Sequence, residues 1–352
     1  MTTNAMDRMY QGGEALGEGA VRAGMRHFFG YPHAPQTELV SFLALRLPEV
    51  SGVFAQAESV RSALSMALGA SAAGARVLAS VAGADFGLAG ETLSYLVAEE
   101  LPLVMAWFTR SGPGTGGLLP SQEGLLQACA GVGGMPIPVW APSGAQEMHD
   151  LTAAAFELAD AHRHPVLILA DALVAQIVEP IETPKGSMTL GHLSAKPWAV
   201  NGAKGRERNV LHSRRQPDGA IAAEQHLRAK EQTLASAALR FTDIDHAADV
   251  VVVAYGGCAR IAYEGVRLAR EAGLSVAVFR PISLWPFPTD ALRAATAGKP
   301  TLTVEFGSGQ LATLMRANGL PNPDAQVGGV AQPPTPAAVA AALQKLAGGT
   351  RG

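Results

Sequence analysis

The sequence predicts an α/β protein in which a parallel-sheet domain is followed by a second, smaller α/β domain. Three observations carry this prediction. Apolar runs, each long enough for one buried strand, recur along the chain, and Ala- and Gly-rich helical segments separate them. Between residues 179 and 239 this alternation stops, and beyond residue 246 it resumes. Strands that are apolar throughout are typical of parallel sheets covered by helices on both faces.

The elements of the first domain follow in order. Ser143 is the predicted N-cap of its last long helix, with acidic residues in the early turns. The predicted units are a helix over 58–75, a strand and turn over 76–86, a helix over 90–100, a strand over 101–109, a helix over 143–164 and a strand over 165–171.

A connector separates the two domains, so we predict the division 1–180, 181–245 and 246–352. The connector is rich in Pro, Gly and basic residues and contains one predicted helix over 222–239. A solvated or subunit-contacting loop is favoured over nucleic-acid binding, because aromatic residues do not alternate with the basic ones. The basic residues are Lys204, Arg206, Arg208, Arg214 and Arg215. The second domain then repeats strand, helix, strand, helix and strand over 249–306.

Composition excludes several classes of protein. The 352 residues carry a net charge of −3, so no overall positive field favours nucleic acid. No apolar run approaches the roughly 18 residues that span a bilayer. The first ten residues are polar and lack the layout of a secretory signal, which predicts a cytoplasmic protein.

The two cysteines, Cys129 and Cys258, are far apart in sequence, and we expect both to be small buried residues. Any iron–sulfur centre must then lie on another chain.

Common nucleotide and hydrolase motifs are also missing. The turn "YGGCAR" (255–260) is not a dinucleotide fingerprint, and the sequence contains no Walker A, HExxH or GxSxG motif.

Several motifs in one order resemble the α subunit of the thiamine-diphosphate-dependent 2-oxoacid:acceptor (ferredoxin) oxidoreductases. They include "GGEALGEGAVRAGMRHFFGYPHAPQTEL", "FAQAESVRSALSMALGASAAGA", "FTRSGPGTG" and "APSGAQEMHDLTAAAFELADAHRHPVLILAD" in the first domain. In the second domain, "VAYGGCARIAYEGV", "FRPISLWPFP" and "VEFGSGQL" resemble a transketolase C-terminal-like module.

The resemblance implies a pyrimidine-side thiamine-binding domain followed by the transketolase-like domain. It implies a β subunit that holds Mg, the diphosphate end of the cofactor and an iron–sulfur cluster, with γ and δ subunits in some complexes. The implied reaction decarboxylates a 2-oxoacid oxidatively, transfers the acyl group to coenzyme A, and passes electrons to ferredoxin or another acceptor.

The sequence departs from the family pattern around the expected pyrimidine site. The family's glutamate, which shares a proton with the aminopyrimidine, corresponds to Val60, and Glu58 is the only carboxylate in the segment. Residues two apart on a helix point in nearly opposite directions, so Glu58 should not simply replace it. The family's Thr corresponds to Ala34, with His33 before it, and its T-S-G-P-G turn becomes "VAGAD" (81–85). Asp85 in that turn is an alternative acid that could approach the pyrimidine from the other side.

Other positions match the family. Arg110 corresponds to the arginine on the substrate side, where a guanidinium can bind a carboxylate through two hydrogen bonds. His33 is a candidate acid or base. By the same resemblance, Tyr31, Pro32 and Gly83 join Glu58, Val60 and Asp85 as candidate cofactor-binding residues. Glu91 has either a site role or a structural one at a helix start. Trp285 is expected to be a packing residue between domains or subunits.

Three functions remain open at this point. The first is an active α subunit with an altered pocket. The second is a paralogue without thiamine catalysis that serves as a structural or regulatory partner of a β subunit. The third, a transketolase-like or decarboxylase enzyme without an electron-transfer partner, is weakened because the chain lacks a GDG…N diphosphate-binding segment.

Overall fold

The computed structural model describes residues 8–114, 116–183, 196–211, 217–242, 244–329 and 332–349. The first part of the chain contains β1 (Met9–Gln11), α1 (Gly12–Arg22), β2 (His27–Gly30), α2 (Thr37–Glu49), β3 (Val53–Gln56), α3 (Val60–Ala72), β4 (Val77–Ala82), a 3-10 helix (Gly83–Ala89), α4 (Gly90–Ala98), β5 (Leu103–Thr109), α5 (Leu125–Cys129), β6 (Val139–Trp140), α6 (Ala145–His162), β7 (Pro165–Asp171), α7 (Ala172–Gln176) and β8 (Val178–Pro180).

The remainder contains α8 (Pro217–Ala238), β9 (Phe241–Thr242), β10 (Val250–Ala254), α9 (Gly256–Glu271), β11 (Val276–Pro281), β12 (Ser283–Trp285), α10 (Thr289–Thr296), β13 (Thr301–Glu305), α11 (Gln310–Ala317), β14 (Ala325–Gly328) and α12 (Pro336–Gly349). The predicted α/β class is confirmed.

The larger sheet has seven strands in the order β12-β6-β7-β5-β4-β2-β3. Its strands run parallel except β12, which is antiparallel to β6. Every residue of β4, β5 and β7 is buried, because successive side chains enter the apolar layers on opposite faces of the sheet. In β5, for example, Met105 and Trp107 belong to one core cluster, and Val104 and Phe108 belong to the other.

The second sheet has the order β14-β13-β10-β11-β9, with only β9 antiparallel to its neighbour. Its core includes the small residues of α9, among them Cys258 and Ala262, packed against Val250 and Val252. Gly265 of α9 lies so close to α12 that a Cβ there would be 2.6 Å from the side chain of Val339. A small residue is therefore required where these two helices cross.

The two sheets are linked by the path of the chain and share a continuous apolar core. Strand β12 follows the second sheet's β11 in the chain but pairs with β6 of the first sheet. One core cluster contains Met105 and Leu169 together with Val253 and Leu311. Trp285, at the end of β12, is half-buried and packs against both clusters that flank the first sheet, as expected for a packing residue.

Buried polar contacts also cross between the two parts. The Gln122 side-chain amide donates to the Tyr255 carbonyl (2.8 Å) and accepts from the Phe306 amide (3.0 Å). Asp171 accepts from the Gly257 amide at 2.7 Å. Burial raises the pKa of Asp171, while backbone N–H groups that donate to it act in the opposite direction.

Two sequence predictions are corrected in detail. Gly144, rather than Ser143, is the N-cap of α6, and the Ser143 amide and hydroxyl both bind Glu147. The connector helix begins at residue 217 instead of 222.

The basic residues of the connector that the structure describes, Lys204, Arg206 and Arg208, are exposed. Arg206 donates to the Ala199 carbonyl and to Asn201. Arg214 and Arg215 lie outside the described residues.

The cysteines differ in exposure. Cys258 is buried, as predicted, whereas Cys129 is half-buried. The Cys129 thiol donates to the Leu284 carbonyl at 3.5 Å, and desolvation raises its pKa to about 12. Within the described ranges no helix is both long and apolar enough to span a membrane.

An ion pair between Arg280 of β11 and Glu147 of α6 joins the two sheets. Arg280 is buried, and its two Nη atoms donate to Glu147 at 2.7 and 2.5 Å, with a third bond to Ser143 Oγ at 2.8 Å. Burial alone would raise the pKa of Glu147, but the hydrogen bonds and charge of Arg280 lower it below the usual value.

We predict that Arg280→Met lowers the free energy of unfolding by about 3 kcal/mol, because it leaves Glu147 without its cation. Arg267→Met is the control, since this exposed arginine pairs with Glu271 on the same helix and should cost only about 0.3–0.5 kcal/mol. Chemical denaturation measures both. Equal losses in the two variants would contradict the role of the Arg280–Glu147 pair.

The same pair predicts a pH dependence. The pKa of Glu147 is lower in the folded state than in the unfolded chain. Its contribution to the free energy of unfolding is therefore complete above the unfolded-state pKa of about 4.3. This contribution is lost as the pH falls through the folded-state pKa of Glu147. The difference in stability between wild type and Arg280→Met should therefore shrink below about pH 4.

Candidate functional site

The candidate site lies where neighbouring parallel strands end. Strands β5, β4, β2 and β3 are adjacent in the sheet, and their carboxyl ends lead into the segments that contain Arg110, Gly83, His33 and Glu58. Because parallel strands end at the same edge, these segments meet there, as ligand-binding loops of α/β sheets commonly do.

Three of the predicted site residues form one chain of hydrogen bonds. His33 Nδ1 lies 2.8 Å from Asp85 Oδ2, and His33 Nε2 lies 2.9 Å from Arg110 Nη2. The side chains of His33 and Asp85 are 29% and 28% exposed, so a ligand or partner can reach them.

The chemistry of the three groups determines where the protons are. A guanidinium only donates hydrogen bonds, so His33 Nε2 must accept from Arg110. The imidazole is then neutral and carries its proton on Nδ1, which donates to the Asp85 carboxylate. The resulting order is carboxylate, neutral imidazole, guanidinium.

Arg110 has no carboxylate partner within the described part of the chain; its side chain hydrogen-bonds only to His33. Its Nε atom is buried without a hydrogen-bond partner. Gly83 covers that atom: its φ is +52°, and a Cβ there would lie 2.8 Å from Arg110 Nε. A residue with a side chain at position 83 would be strained and would also displace the guanidinium.

The turn that carries Asp85 is fixed by aromatic residues. Phe86 stacks on Trp107 with ring centroids 3.9 Å apart, and Trp107 Nε1 donates to the Gly83 carbonyl at 2.9 Å. These contacts attach the 3-10 helix to the end of β5, which holds Asp85 and Arg110 at a fixed separation.

The loop after β2 is supported by Gln36. The side chain of Gln36 is buried, and its Nε2 atom donates to the Tyr31 carbonyl at 2.6 Å. The backbone amide of Gln36 donates to the His33 carbonyl at 3.1 Å. Tyr31 and Pro32 are exposed at the rim. Gln36 was not among the sequence-predicted site residues.

Val60 and Glu58 lie in different environments. Val60 is the first residue of α3 and is buried in the core cluster. Glu58 is exposed and accepts from the Ser62 hydroxyl, a hydrogen bond that lowers the pKa of Glu58. Glu58 therefore does not occupy the position of Val60. Glu91 is exposed in the first turn of α4.

The pairing of His33 with Asp85 was missed from the sequence, where Asp85 was considered only as an alternative acid for the pyrimidine. The signal that could have revealed it is the position of both residues just after strands, β2 and β4, that pair directly.

Two family models together match most of the chain. Residues 18–238 match "Pyruvate flavodoxin/ferredoxin oxidoreductase, thiamine diP-binding", and residues 248–318 match "Pyruvate:ferredoxin oxidoreductase core domain II". The chain belongs to the 2-oxoacid:ferredoxin oxidoreductase family.

Relatives with similar sequences agree with this family. The chain is 36% identical to ketoisovalerate oxidoreductase subunit VorB of Methanothermobacter thermautotrophicus, over 86% of this chain and 87% of the relative. It is 33% identical to 2-oxoglutarate synthase subunit KorA of Archaeoglobus fulgidus, over 86% and 88%. The family predicted from the sequence motifs is confirmed, and the chain is a subunit of an oxidoreductase.

Two solved structures show the fold alone. The 2-oxoglutarate:ferredoxin oxidoreductase of Magnetococcus marinus, solved with 2-oxoglutarate, coenzyme A and succinyl-CoA, has a TM-score of 0.82 at 23% identity. The match covers 96% of this chain and 65% of that one. A split-gene transketolase, in an inactive β4 tetramer, has a TM-score of 0.60 at 18% identity.

The oxidoreductase site fits the thiamine group of its family only in part. Tyr31 and Pro32 are exposed at the rim, whereas the space at the Cα atom of Gly83 is occupied by the side chain of Arg110. No carboxylate lies at Val60: Glu58 faces solvent, and Asp85 is paired with His33. The residues at this edge therefore include no free carboxylate at position 60 that could share a proton with an aminopyrimidine.

We predict that Gly83→Ala lowers the free energy of unfolding by about 1–2 kcal/mol, because φ is positive and the new methyl group meets Arg110. Gly90→Ala is the matched control on the adjacent turn. Gly90 has helical backbone angles and open space around its Cα, so alanine should be neutral or stabilise by up to about 1 kcal/mol. Thermal denaturation measures both, and a stable Gly83→Ala variant would contradict the close approach.

Proposed function

We propose that this chain is the α-type subunit of a complex that oxidatively decarboxylates a 2-oxoacid, and that Arg110 binds the carboxylate of that substrate. The observation that carries the proposal is an arginine without a carboxylate partner, reachable through a half-exposed loop, on the edge where the parallel strands end. A guanidinium in that setting binds a carboxylate strongly, because both the charge and the hydrogen-bond geometry are complementary.

The division of labour between subunits is part of the proposal. The Mg ion, the diphosphate end of thiamine diphosphate and the iron–sulfur cluster are assigned to a β-type partner, with electrons passing to a ferredoxin-type acceptor and the acyl group to coenzyme A. Two features support this assignment. Burial raises the pKa of both cysteine thiols here, which disfavours the thiolates that bind iron. The described residues contain no group of three or more His, Cys, Asp or Glu side chains that could hold a metal.

Thiamine diphosphate, when bound, supplies the carbanion that attacks the substrate's keto carbon. Tyr31, Pro32, Val60 and Gly83 are the residues of this chain that we propose would hold its pyrimidine end. Glu58 is proposed only as an outer residue of that site, because it faces solvent. Arg110 would orient the 2-oxoacid, and Asp85 and His33 would complete its polar side.

One observation favours a second function. Val60 is buried among apolar residues where the family carries its proton-sharing glutamate. A subunit that lacks this acid could serve its β-type partner as a structural or regulatory component without catalysis. The unpaired Arg110 argues for the active subunit, because a scaffold gains nothing from a guanidinium without a counter-ion.

Arg110→Gln tests the proposal in the complex with the partner subunit. The variant loses a charge-assisted hydrogen bond to the substrate carboxylate, and such a bond contributes about 1.5–3 kcal/mol to binding. KM for the 2-oxoacid should therefore rise about 10- to 100-fold. The assay is reduction of a ferredoxin or an artificial electron acceptor with 2-oxoisovalerate or 2-oxoglutarate. Arg293→Gln, an exposed arginine paired with Asp290, is the control and should not change KM. An unchanged KM in Arg110→Gln would reject the assigned role.

Val60→Glu separates the active subunit from the structural one. If the wild-type complex is active, it binds thiamine diphosphate and turns over, and Val60→Glu changes the rate of a functioning enzyme. If the subunit is only structural, the wild-type complex contains no thiamine diphosphate, whereas the Val60→Glu complex acquires it. Cofactor content of the purified complexes, measured after acid release, distinguishes these outcomes.

A further inference from the structure

We propose that binding of the 2-oxoacid to Arg110 is coupled to uptake of one proton by His33, and that Asp85 is the positioning residue that makes this possible. The inference rests on the proposed function for the identity of the ligand. Its other parts rest on the hydrogen bonds among Asp85, His33 and Arg110, which join three different segments of the chain.

Without a ligand, His33 cannot hold a proton on Nε2. That atom lies 2.9 Å from Arg110 Nη2, and a second N–H at this position would point at a guanidinium N–H. The neutral form with the proton on Nδ1 is the one that satisfies both neighbours. Among the described residues, the charged groups that hydrogen-bond to the ring are Asp85, from the 3-10 helix, and Arg110, from the end of β5; Tyr31 is the other titratable group of its loop.

A substrate carboxylate changes the preference of both Arg110 and His33. A guanidinium bonds more strongly to a carboxylate than to a neutral imidazole, so Arg110 Nη2 turns to the new acceptor. His33 Nε2 is then left with a free lone pair beside that same carboxylate. A proton from solvent binds to Nε2, and the only bond formed is Nε2–H; it breaks again when the ligand leaves.

The protonated ring lies between two carboxylates. Its Nδ1–H continues to donate to Asp85 Oδ2, 2.8 Å away in the unliganded arrangement, and its new Nε2–H donates to the substrate. Two anions adjacent to an imidazolium favour the charged form. The 2-oxoacid carboxylate thus gains a second cationic donor that is absent when the site is empty.

Asp85 acts through His33 rather than on the substrate. Its turn is fixed by the stacking of Phe86 on Trp107, so the carboxylate holds the ring in one orientation and one tautomer. Asp85→Asn retains an acceptor for Nδ1–H but removes the charge that supports the imidazolium. It should raise KM about tenfold without lowering kcat, because the imidazolium loses one of the two anions beside it.

The first test reads the protonation of His33 directly. The full chain with its partner subunit is labelled with ¹⁵N-histidine, and His33→Gln assigns the His33 signals among the nine histidines. At pH 8 without ligand, we expect the neutral Nδ1–H tautomer; with saturating 2-oxoisovalerate or 2-oxoglutarate, we expect the imidazolium. A neutral Nε2–H tautomer without ligand, or a neutral ring with ligand bound, overturns the inference.

The second test uses the pH dependence of KM. Uptake of one proton on binding makes KM rise about tenfold per pH unit where His33 of the free complex is neutral. His33→Gln cannot titrate and should abolish this slope. His226→Gln is the matched control, because His226 is also paired with a carboxylate, Glu100 at 3.1 Å, but lies exposed on α8; it should retain the slope. A slope that persists in His33→Gln overturns the inference.

The two tests distinguish failure of the inference from failure of the proposed function. An inactive complex in which a 2-oxoacid still protonates His33 supports the coupling and rejects the oxidoreductase role for this subunit. An active complex whose KM is independent of pH rejects the coupling alone. If the complex is inactive and the 2-oxoacid does not change the protonation of His33, both the coupling and the oxidoreductase role are rejected.

Discussion

The hydrogen bond between Arg110 and His33 fixes the donor and acceptor roles of three side chains. Because a guanidinium can only donate, the imidazole must be neutral, and because the ring's remaining proton is then on Nδ1, Asp85 must accept it. The backbone of Gly83 also approaches Arg110 closely, on the side of its Nε atom, and a residue with a Cβ would prevent this approach. The orientation of the guanidinium therefore depends on both His33 and Gly83.

The parallel sheet that brings these residues together was largely predictable from the sequence. Strands β4, β5 and β7 are buried on both faces, so their sequences are apolar throughout and easy to recognise. The crossing of β12 into the first sheet was not predictable. It has three residues and pairs with a strand more than 140 positions earlier, so its pattern contains no local signal of its partner.

The site was predictable residue by residue, but not as a connected unit. Motif matches and departures from them indicated Arg110, Gly83, His33 and Asp85 separately. Their contacts follow from the strand order β5-β4-β2, which depends on tertiary packing that the sequence pattern does not specify. The separation of Glu58 from Val60 was predicted from helical spacing, but Glu58 precedes Ser59, the N-cap of α3, so its exposure follows from its position in the loop before the helix. Gln36 was missed because its role, supporting the loop from beneath, requires knowledge of the loop's path.

The edge of the sheet that carries the candidate site has an apolar side and a charged side. Val60 belongs to the core beneath α3, so a carboxylate there would be desolvated and its proton held more tightly. On the opposite side, between β2, β4 and β5, a cation, an anion and a titratable ring remain together and accessible. Maintaining Arg110 half-buried without a counter-ion is unfavourable in the unliganded chain. Under the proposed function, that cost is offset when the carboxylate of the 2-oxoacid binds to Arg110.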